Sequence, residues 1–451
     1  MQKENKLGTW PIPRLVLSMS LPIMISMLVQ SLYNIVDSIF VSRISENALT
    51  ATSVAFSAQM LQIAVAVGTG VGVNALVSRY LGAKEYDKVN EAATTGLFLT
   101  IFSSLFFMIW GAFGTKQFIQ FFSKDPEIIQ MGTDYLEICQ IFSTGIFLGT
   151  ITQRLLQATG RTFSSMLAQL AGAVVNIILD PLLIFGIGFF PEMGISGAAI
   201  ATVIGQWTSA VIGLILNHVQ NKEVRFTFSN FQFHKDTIIS IYKVGAPTII
   251  TQAVGGIMLF LINMILFMFS STAVAFFGVY YKLQAFVFMP MNGLGQGTLP
   301  VVAFNLGAGN TDRIDKSCRV SLYFGAFIGL IGTLVFCIFP QPLLHLFAAS
   351  NDMIQMGIPA LRIIAVSFVF ASVTTIIGYL ISGMGNGIVN MIAATLRQVI
   401  ILIPCIYILG RFGGISLIWY AFWIAELGSF AFVLIMLRKY LRRITENNKA
   451  E

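Results

Sequence analysis

The chain has 451 residues, of which 56% are hydrophobic and only 10% charged, with a formal charge of +7. A soluble globular domain carries roughly 25% charged residues, so this composition, with a mean hydropathy of +0.80, excludes a soluble protein. The positive balance does not describe a nucleic-acid binder either: the basic residues gather in short breaks between apolar runs and near the C-terminus, as they do in loops held in the cytoplasm.

Apolar windows near the ~20 residues needed to cross a bilayer recur along the whole length. They predict helices at 15–40, 51–78, 91–114, 128–158, 163–188 and 195–218 in the first half. The second half repeats the pattern at 238–269, 274–304, 317–339, 353–382, 388–409 and 414–437. The first helix is too long for a signal-peptide core and has no small-residue cleavage pattern, so it is read as a retained span. Polar breaks separate most runs, while tight joints are expected at Phe190–Gly194, Ser270–Thr272, Pro340–Pro342 and Gly410–Gly413. Lys and Arg fall twenty to four between alternate sets of connections, counting from Lys3 to Lys449, with Lys282, Arg362 and Arg397 inside helices. That asymmetry predicts two cytoplasmic termini and therefore an even number of spans.

The cysteines, Cys139, Cys318, Cys337 and Cys405, lie in apolar stretches without a CxxC spacing and read as buried thiols rather than metal or redox groups. His218, His234 and His345 show no ligand-like spacing.

Self-similarity is the most informative pattern. The offset that carries Pro22 onto Pro247 also superposes Gly68, Gly70 and Gly72 on Gly293, Gly295 and Gly297, and Leu81-Gly82-Ala83 on Leu306-Gly307-Ala308. The same offset superposes Asp87 on Asp312 and Ile129-Gln130-Met131-Gly132 on Ile354-Gln355-Met356-Gly357. Later the offset shifts, and Gly194-Ile195-Ser196 meets Gly414-Ile415-Ser416. The glycines have a plain role, since small residues let helices approach closely. The expected fold is all-α and integral to the membrane: twelve helices in two six-helix bundles related by a pseudo-twofold axis along the membrane normal. The lobes are placed at 1–219 and 237–451, joined by a cytoplasmic linker at 220–236, with a cavity between the halves, where secondary transporters place substrate.

Acids inside spans are the sharpest local signal, because a charge at the bilayer centre costs roughly 2.5–3.5 kcal/mol even on a mild insertion scale. Asp37, Asp180 and Glu426 qualify, whereas Asp134 and Glu137 fall in the first turns of a span. Tyr33 and Asn34 precede Asp37 by about one turn, and Asn176 precedes Asp180 by four residues, with Pro181 after it. Such oxygen-rich faces suit a hard cation such as Na⁺. They suit H⁺ equally, because apolar surroundings favour the uncharged carboxylic acid; a structural polar network is the plainer alternative. Thr202 adds a further oxygen. If Na⁺ is the ion, its ligands are Asp37, Asn176, Asp180 and Thr202. For Lys282 and Arg397, a helix-to-helix tether and a cavity lining stand equal. Glu426 aligns with Gln206, is a candidate partner for Arg397, and reads as structural. Gln30, Tyr33, Lys282, Met289 and Tyr379 are candidate cavity-lining residues.

Several stretches resemble the multidrug and toxic compound extrusion (MATE) family, part of a superfamily that includes lipid-linked oligosaccharide flippases. They are Ser20–Val41, SRYLGAKEYDK at Ser78–Lys88, LQATGRT at Leu156–Thr162, NIILDP at Asn176–Pro181 and GISGAAIATVIGQ at Gly194–Gln206. The spacing from Pro22 to Asp37 and the Asn176/Asp180 pair are similar to the DinF-like and MepA-like branches. The resemblance implies a cation site at Asp37, Asn34, Asn176, Asp180 and Thr202, with the first helix bending near Pro22. The NorM-like branch carries acids in its seventh and tenth helices; here those helices offer Asn263, Thr374, Thr375 and Tyr379 instead.

The expected function is a secondary antiporter in a bacterial or archaeal plasma membrane, exporting amphipathic or cationic organic compounds in exchange for H⁺ or Na⁺. It is expected to act as a monomer, with no cofactor and no nucleic-acid partner. A lipid-linked oligosaccharide flippase is the nearest rival, but it would want an Arg-rich cavity. An intramembrane enzyme is disfavoured by the lack of HExxH, GxSxG or GxGD-type motifs.

Overall fold

A computed structural model describes residues 5–228, 232–347 and 350–450. Lys3, linker residues 229–231 and the side chains of Arg443 and Lys449 lie outside the described set. Every regular element among the described residues is helical.

A four-residue helix α1 (Lys6–Thr9) leads into α2 (Ile12–Ser42), α3 (Glu46–Gly82) and α4 (Tyr86–Phe122). The next span is broken into α5 (Pro126–Ile141) and α6 (Thr144–Ala158), followed by α7 (Thr162–Phe185) and α8 (Gly194–Gln220). The second half runs α9 (Lys235–Phe267), α10 (Ser271–Gly307), α11 (Thr311–Ile338) and a short α12 (Pro340–His345). Its broken span is α13 (Asn351–Ala365) with α14 (Phe368–Gly383). Then α15 (Ile388–Thr395), a π-helical turn (Leu396–Ile401) and α16 (Leu402–Ile418) form one run, before α17 (Ala421–Ala450). Ten helices are long and apolar enough to cross a membrane, counting 388–418 as one. The pairs α5/α6 and α13/α14, bent by 48° and 47°, bring the spans to twelve. Closed hydrogen-bonding within each helix is what lets backbone this polar reside in hydrocarbon.

One joint differs from the sequence expectation. The chain stays helical through Gly410–Gly413, and the last break falls at Trp419–Tyr420 instead. The glycine cluster still marks a kink, because Gly414 takes φ 65° inside that run. Gly194 opens α8 with φ 54°, so the Gly-Ile-Ser match joins two left-handed glycines at equivalent turns.

The repeat is visible in helix ends. The offset between Pro22 and Pro247 also separates the starts of α3 and α10, and it separates their ends. Each is opened by a serine cap: Ser45 Oγ accepts from Ala48 N at 3.0 Å, and Ser270 Oγ accepts from Ala273 N at 3.0 Å. The caps of α5 and α13 are Asp125 and Ser350, again one offset apart.

The chain forms two compact units: Ile25–Ile249, and Met1–Met24 together with Ile250–Glu451. Both changes of unit fall inside a helix, α2 after Met24 and α9 after Ile249. The two crossings are repeat equivalents, and each follows its proline, Pro22 or Pro247, within a turn. Each unit thus contains the start of the other half's first helix, and the glycine triplets make room for it. A Cβ on Gly72 would run into the Ile241 carbonyl, and one on Gly68 would stand 2.8 Å from the Gly245 oxygen. In the other unit, a Cβ on Gly293 would stand 2.7 Å from Met24 Cα and one on Gly297 2.6 Å from Ser20 Cα. The middle glycines meet side chains instead: Gly70 lies under Arg154 and Gly295 under Tyr379, which are themselves repeat equivalents. Arg313 anchors the N-terminal segment by donating to the carbonyls of Leu7 at 3.1 Å and Trp10 at 2.9 Å.

Candidate functional site

In the unit formed by residues 25–249, the ends of α2, α7 and α8 converge. Val41, Ile184 and Ala198 belong to one buried apolar cluster with Ala48, Ala51, Ile119 and Leu136. Each of the first three stands one turn from a candidate ligand: Val41 from Asp37, Ile184 from Asp180 and Ala198 from Thr202. The cluster therefore packs one turn away from each of the three candidate ligands.

Asp180 is completely buried. Its Oδ1 accepts from Asn176 Nδ2 at 3.1 Å, the i, i+4 contact expected from the sequence. Its Oδ2, the Asn176 Oδ1 and the Asp37 Oδ1 are buried and have no protein hydrogen-bond partner among the described residues. The charge of Asp37 bears on Asp180, so the two carboxyls lie within electrostatic range of one another. Pro181 lacks an N–H, so the carbonyl of Ile177 loses its helical donor one turn from Asp180. Buried polar atoms in folded proteins are almost always satisfied, so several oxygens without partners at one place mark a receptor for a cation or proton. The three atoms without partners are all oxygens, which suits H⁺ or a hard monovalent ion.

Two residues join the site that sequence reasoning left out. Tyr135 on α5 engages the side chains of Thr202 and Gln59 and feels the charge of Asp37. Cys139, one turn further on α5, also neighbours Asp37 and Gln59 and is buried. Neither is acidic, and only the i, i+4 spacing of two polarisable groups hints at a shared face. Thr202 is half-buried and reaches the site through Tyr135. Asn34 is exposed, and the hydrogen bond recorded for it is by its backbone carbonyl, which accepts from Ser38 Oγ at 2.9 Å. Tyr33 engages Gln30, whose side-chain oxygen accepts from Gln169 at 3.1 Å.

The other unit holds a different polar centre. Arg397 Nη1 lies 3.4 Å from Glu426 Oε1, with side chains 17% and 10% exposed, so the suggested pair forms. Arg397 stands on the π-helical turn, a local widening that re-aims side chains. Tyr379 donates to Asn292 Oδ1 at 3.3 Å, Met289 is half-buried, and Lys282 is exposed. Among the described residues no group of three or more His, Cys, Asp or Glu side chains is placed to hold a metal ion.

Known proteins similar to this chain are numerous. The Multidrug export protein MepA of Staphylococcus aureus (strain MSSA476) is 25% identical over 439 residues, covering 96% of this chain and 94% of its own. The Multidrug export protein MepA of Staphylococcus haemolyticus (strain JCSC1435) is 24% identical over 415 residues, covering 90% and 89%. A crystal structure of a MATE transporter in complex with MaL6 superposes with a TM-score of 0.93 at 22% identity, over 99% of this chain and 100% of that one. A MOP superfamily transporter from Pyrococcus furiosus Vc1 (DSM3638) gives 0.91 at 22% identity, over 98% of each chain. The sequence profile of the MatE family matches twice, at residues 22–182 and 247–408, the two matches opening on Pro22 and its repeat equivalent Pro247. Twelve spans, a twofold repeat and two matches to one profile lead to a single assignment: the chain belongs to the MatE family, whose members are membrane transporters and not enzymes.

Proposed function

We propose that this transporter is a multidrug efflux antiporter, exporting amphipathic and cationic organic compounds in exchange for H⁺ or Na⁺ by alternating access. The observation that carries the reading is the trio of buried oxygens without partners, Asp37 Oδ1, Asn176 Oδ1 and Asp180 Oδ2. A cation bound there satisfies all three and relieves the repulsion between two close carboxylates, so occupancy changes the energy of the site most strongly when both are ionised. The substrate class is supported by the staphylococcal relatives, which are multidrug export proteins matched over nearly their whole length. The twenty-to-four distribution of basic residues supports cytoplasmic termini. With that orientation the apolar cluster of Val41, Ile184 and Ala198 lies on the outward side of the carboxyls.

The drive is adequate. One charge crossing 100 mV supplies about 2.3 kcal/mol, equivalent to roughly a fortyfold concentration ratio at about 1.4 kcal/mol per decade.

Purified protein in liposomes, loaded with ethidium and given either a pH gradient or a Na⁺ gradient, tests the reading. One gradient drives ethidium transport, and Asp37→Asn abolishes it while the protein still inserts and folds. Normal gradient-driven export by Asp37→Asn removes the coupling role.

A further inference from the structure

The oxygens without partners do not stop at the carboxyl site. On one face of α3, Gln59, Gln62, Ala66 and Thr69 follow at steps of three, four and three residues. Gln59 touches the Tyr135–Cys139 edge of the site. One turn deeper, Gln62 is 3% exposed and its Nε2 has no partner among the described residues. On α5, Gln140 is completely buried with neither Oε1 nor Nε2 partnered among the described residues. An amide so placed is satisfied by ordered water or by a passing ion.

Directly beyond this seam the character of the interior changes. Ala66, Phe107 and Phe147 form a separate buried apolar cluster, with the two rings 5.7 Å apart at 34°. On α4, Gly111 packs against Gln140 Cβ, Phe107 stands one turn further in, and Ser104 a turn beyond that. On α3, Gln62 is followed by Ala66 and then by the buried Thr69, whose Oγ1 has no partner among the described residues. The bend between α5 and α6 falls between Gln140 and Phe147. Past the plug, polar contacts resume: Arg154 covers Gly70, its Nη1 donates to Gln157 Oε1 at 3.0 Å, and Gln157 Nε2 donates to Ser165 Oγ at 3.0 Å.

We propose that the unit of residues 25–249 carries its own route for the coupling cation, running from Asp37 and Asp180 through Gln59, Gln62 and Gln140 and gated by the plug of Ala66, Phe107 and Phe147. The seam supplies acceptors and donors that carry a hydrated cation or a proton. The plug stops conduction by excluding water, as apolar constrictions do in channels. The α5/α6 bend places the plug where a small change of helix angle moves Phe147 away from Phe107. On this route the cation leaves towards Arg154 and the end of α6 inside the unit, separately from the exported compound. The inference rests on the ion-coupled reading above.

The test uses the full chain in liposomes, with trapped pyranine to read H⁺ and a trapped Na⁺-sensitive dye to read Na⁺, in the absence of drug. Phe147→Ala is expected to leak the coupling cation at least tenfold faster than the parent protein, and Phe147→Leu to leak less. Adding Asp37→Asn to Phe147→Ala is expected to abolish the leak. Gln140→Leu is expected to lower gradient-driven ethidium transport at least tenfold while ethidium binding stays within twofold. It serves as the independent measurement if the plug variants do not fold. A tight Phe147→Ala that melts like the parent, a leak that survives Asp37→Asn, or full transport by Gln140→Leu each overturns the route. If Asp37→Asn alone leaves transport driven by the gradient, the coupling reading fails; if it uncouples while these variants behave like the parent, only the route fails.

Discussion

Replacing Asp180 by Asn and Glu426 by Gln makes the same chemical change at two buried acids and should give opposite phenotypes. Asp180→Asn retains a carbonyl oxygen that can keep accepting from Asn176, now 3.1 Å away. The structural loss is then no more than one hydrogen bond, about 1 kcal/mol. What disappears is the ionisable oxygen without a partner, and with it the site's response to the gradient. With an imposed tenfold gradient of the coupling ion, worth about 1.4 kcal/mol, one-for-one exchange sustains about a tenfold ethidium ratio, which should fall to none. Glu426→Gln leaves Arg397, only 17% exposed, without its counter-charge. Breaking a buried pair by removing one partner costs about 3–5 kcal/mol, so this variant should melt earlier and express less well, yet transport in proportion to the gradient. Both variants are reconstituted at equal protein, the accumulation ratio is measured against the imposed gradient, and thermal unfolding is followed in detergent. If Glu426→Gln uncouples as completely as Asp180→Asn, the assignment of coupling to one half of the repeat is wrong.

Arg313→Ala removes the bonds to the carbonyls of Leu7 and Trp10 and should lower stability by about 2 kcal/mol; an unchanged melting temperature contradicts the anchoring role. Gly72→Leu forces a side chain against the Ile241 backbone and should cost about 1–3 kcal/mol or prevent folding. The paired control is Gly256→Ala, whose Cβ meets nothing within 4 Å, and which should be neutral or stabilise α9 by about 0.5–1 kcal/mol; equal effects of the two in a detergent melt would refute the close-approach argument. Lys449→Cys in a cysteine-free background should resist an impermeant thiol reagent in intact cells and react after permeabilisation, and labelling in intact cells contradicts cytoplasmic termini.

What could be read from the sequence was whatever changes hydropathy or charge. The spans, the bent fourth and tenth helices as single runs, and the repeat all rest on apolar periodicity or on Gly and Pro, residues that each perform one backbone task. Asp37 and Asp180 stood out because an acid in a span is costly. The exchange of helix starts between the units was not legible, because Leu21 to Ile25 looks the same whichever unit it packs on; only the contacts reveal the crossing. Nor were Gln62 and Gln140, since neutral amides are common and become informative only when burial leaves them without partners among the described residues, nor Gln59, whose place beside Tyr135 and Cys139 only the fold reveals. The last joint was misplaced for a related reason: Gly410 and Gly413 look like a loop, but each is accommodated within the helix, and the positive φ falls on Gly414. Pro22 and Pro247, and the two crossings that follow them, obey one offset, so a hinge assigned to the first implies a hinge at the second. The acids obey no such symmetry, because at that offset Asp37 meets Ile262 and Asp180 meets Cys405. A cycle that bends at two equivalent prolines but is driven from one half should therefore lose rate when Pro247 is changed to Ala and lose coupling only when Asp37 or Asp180 is changed.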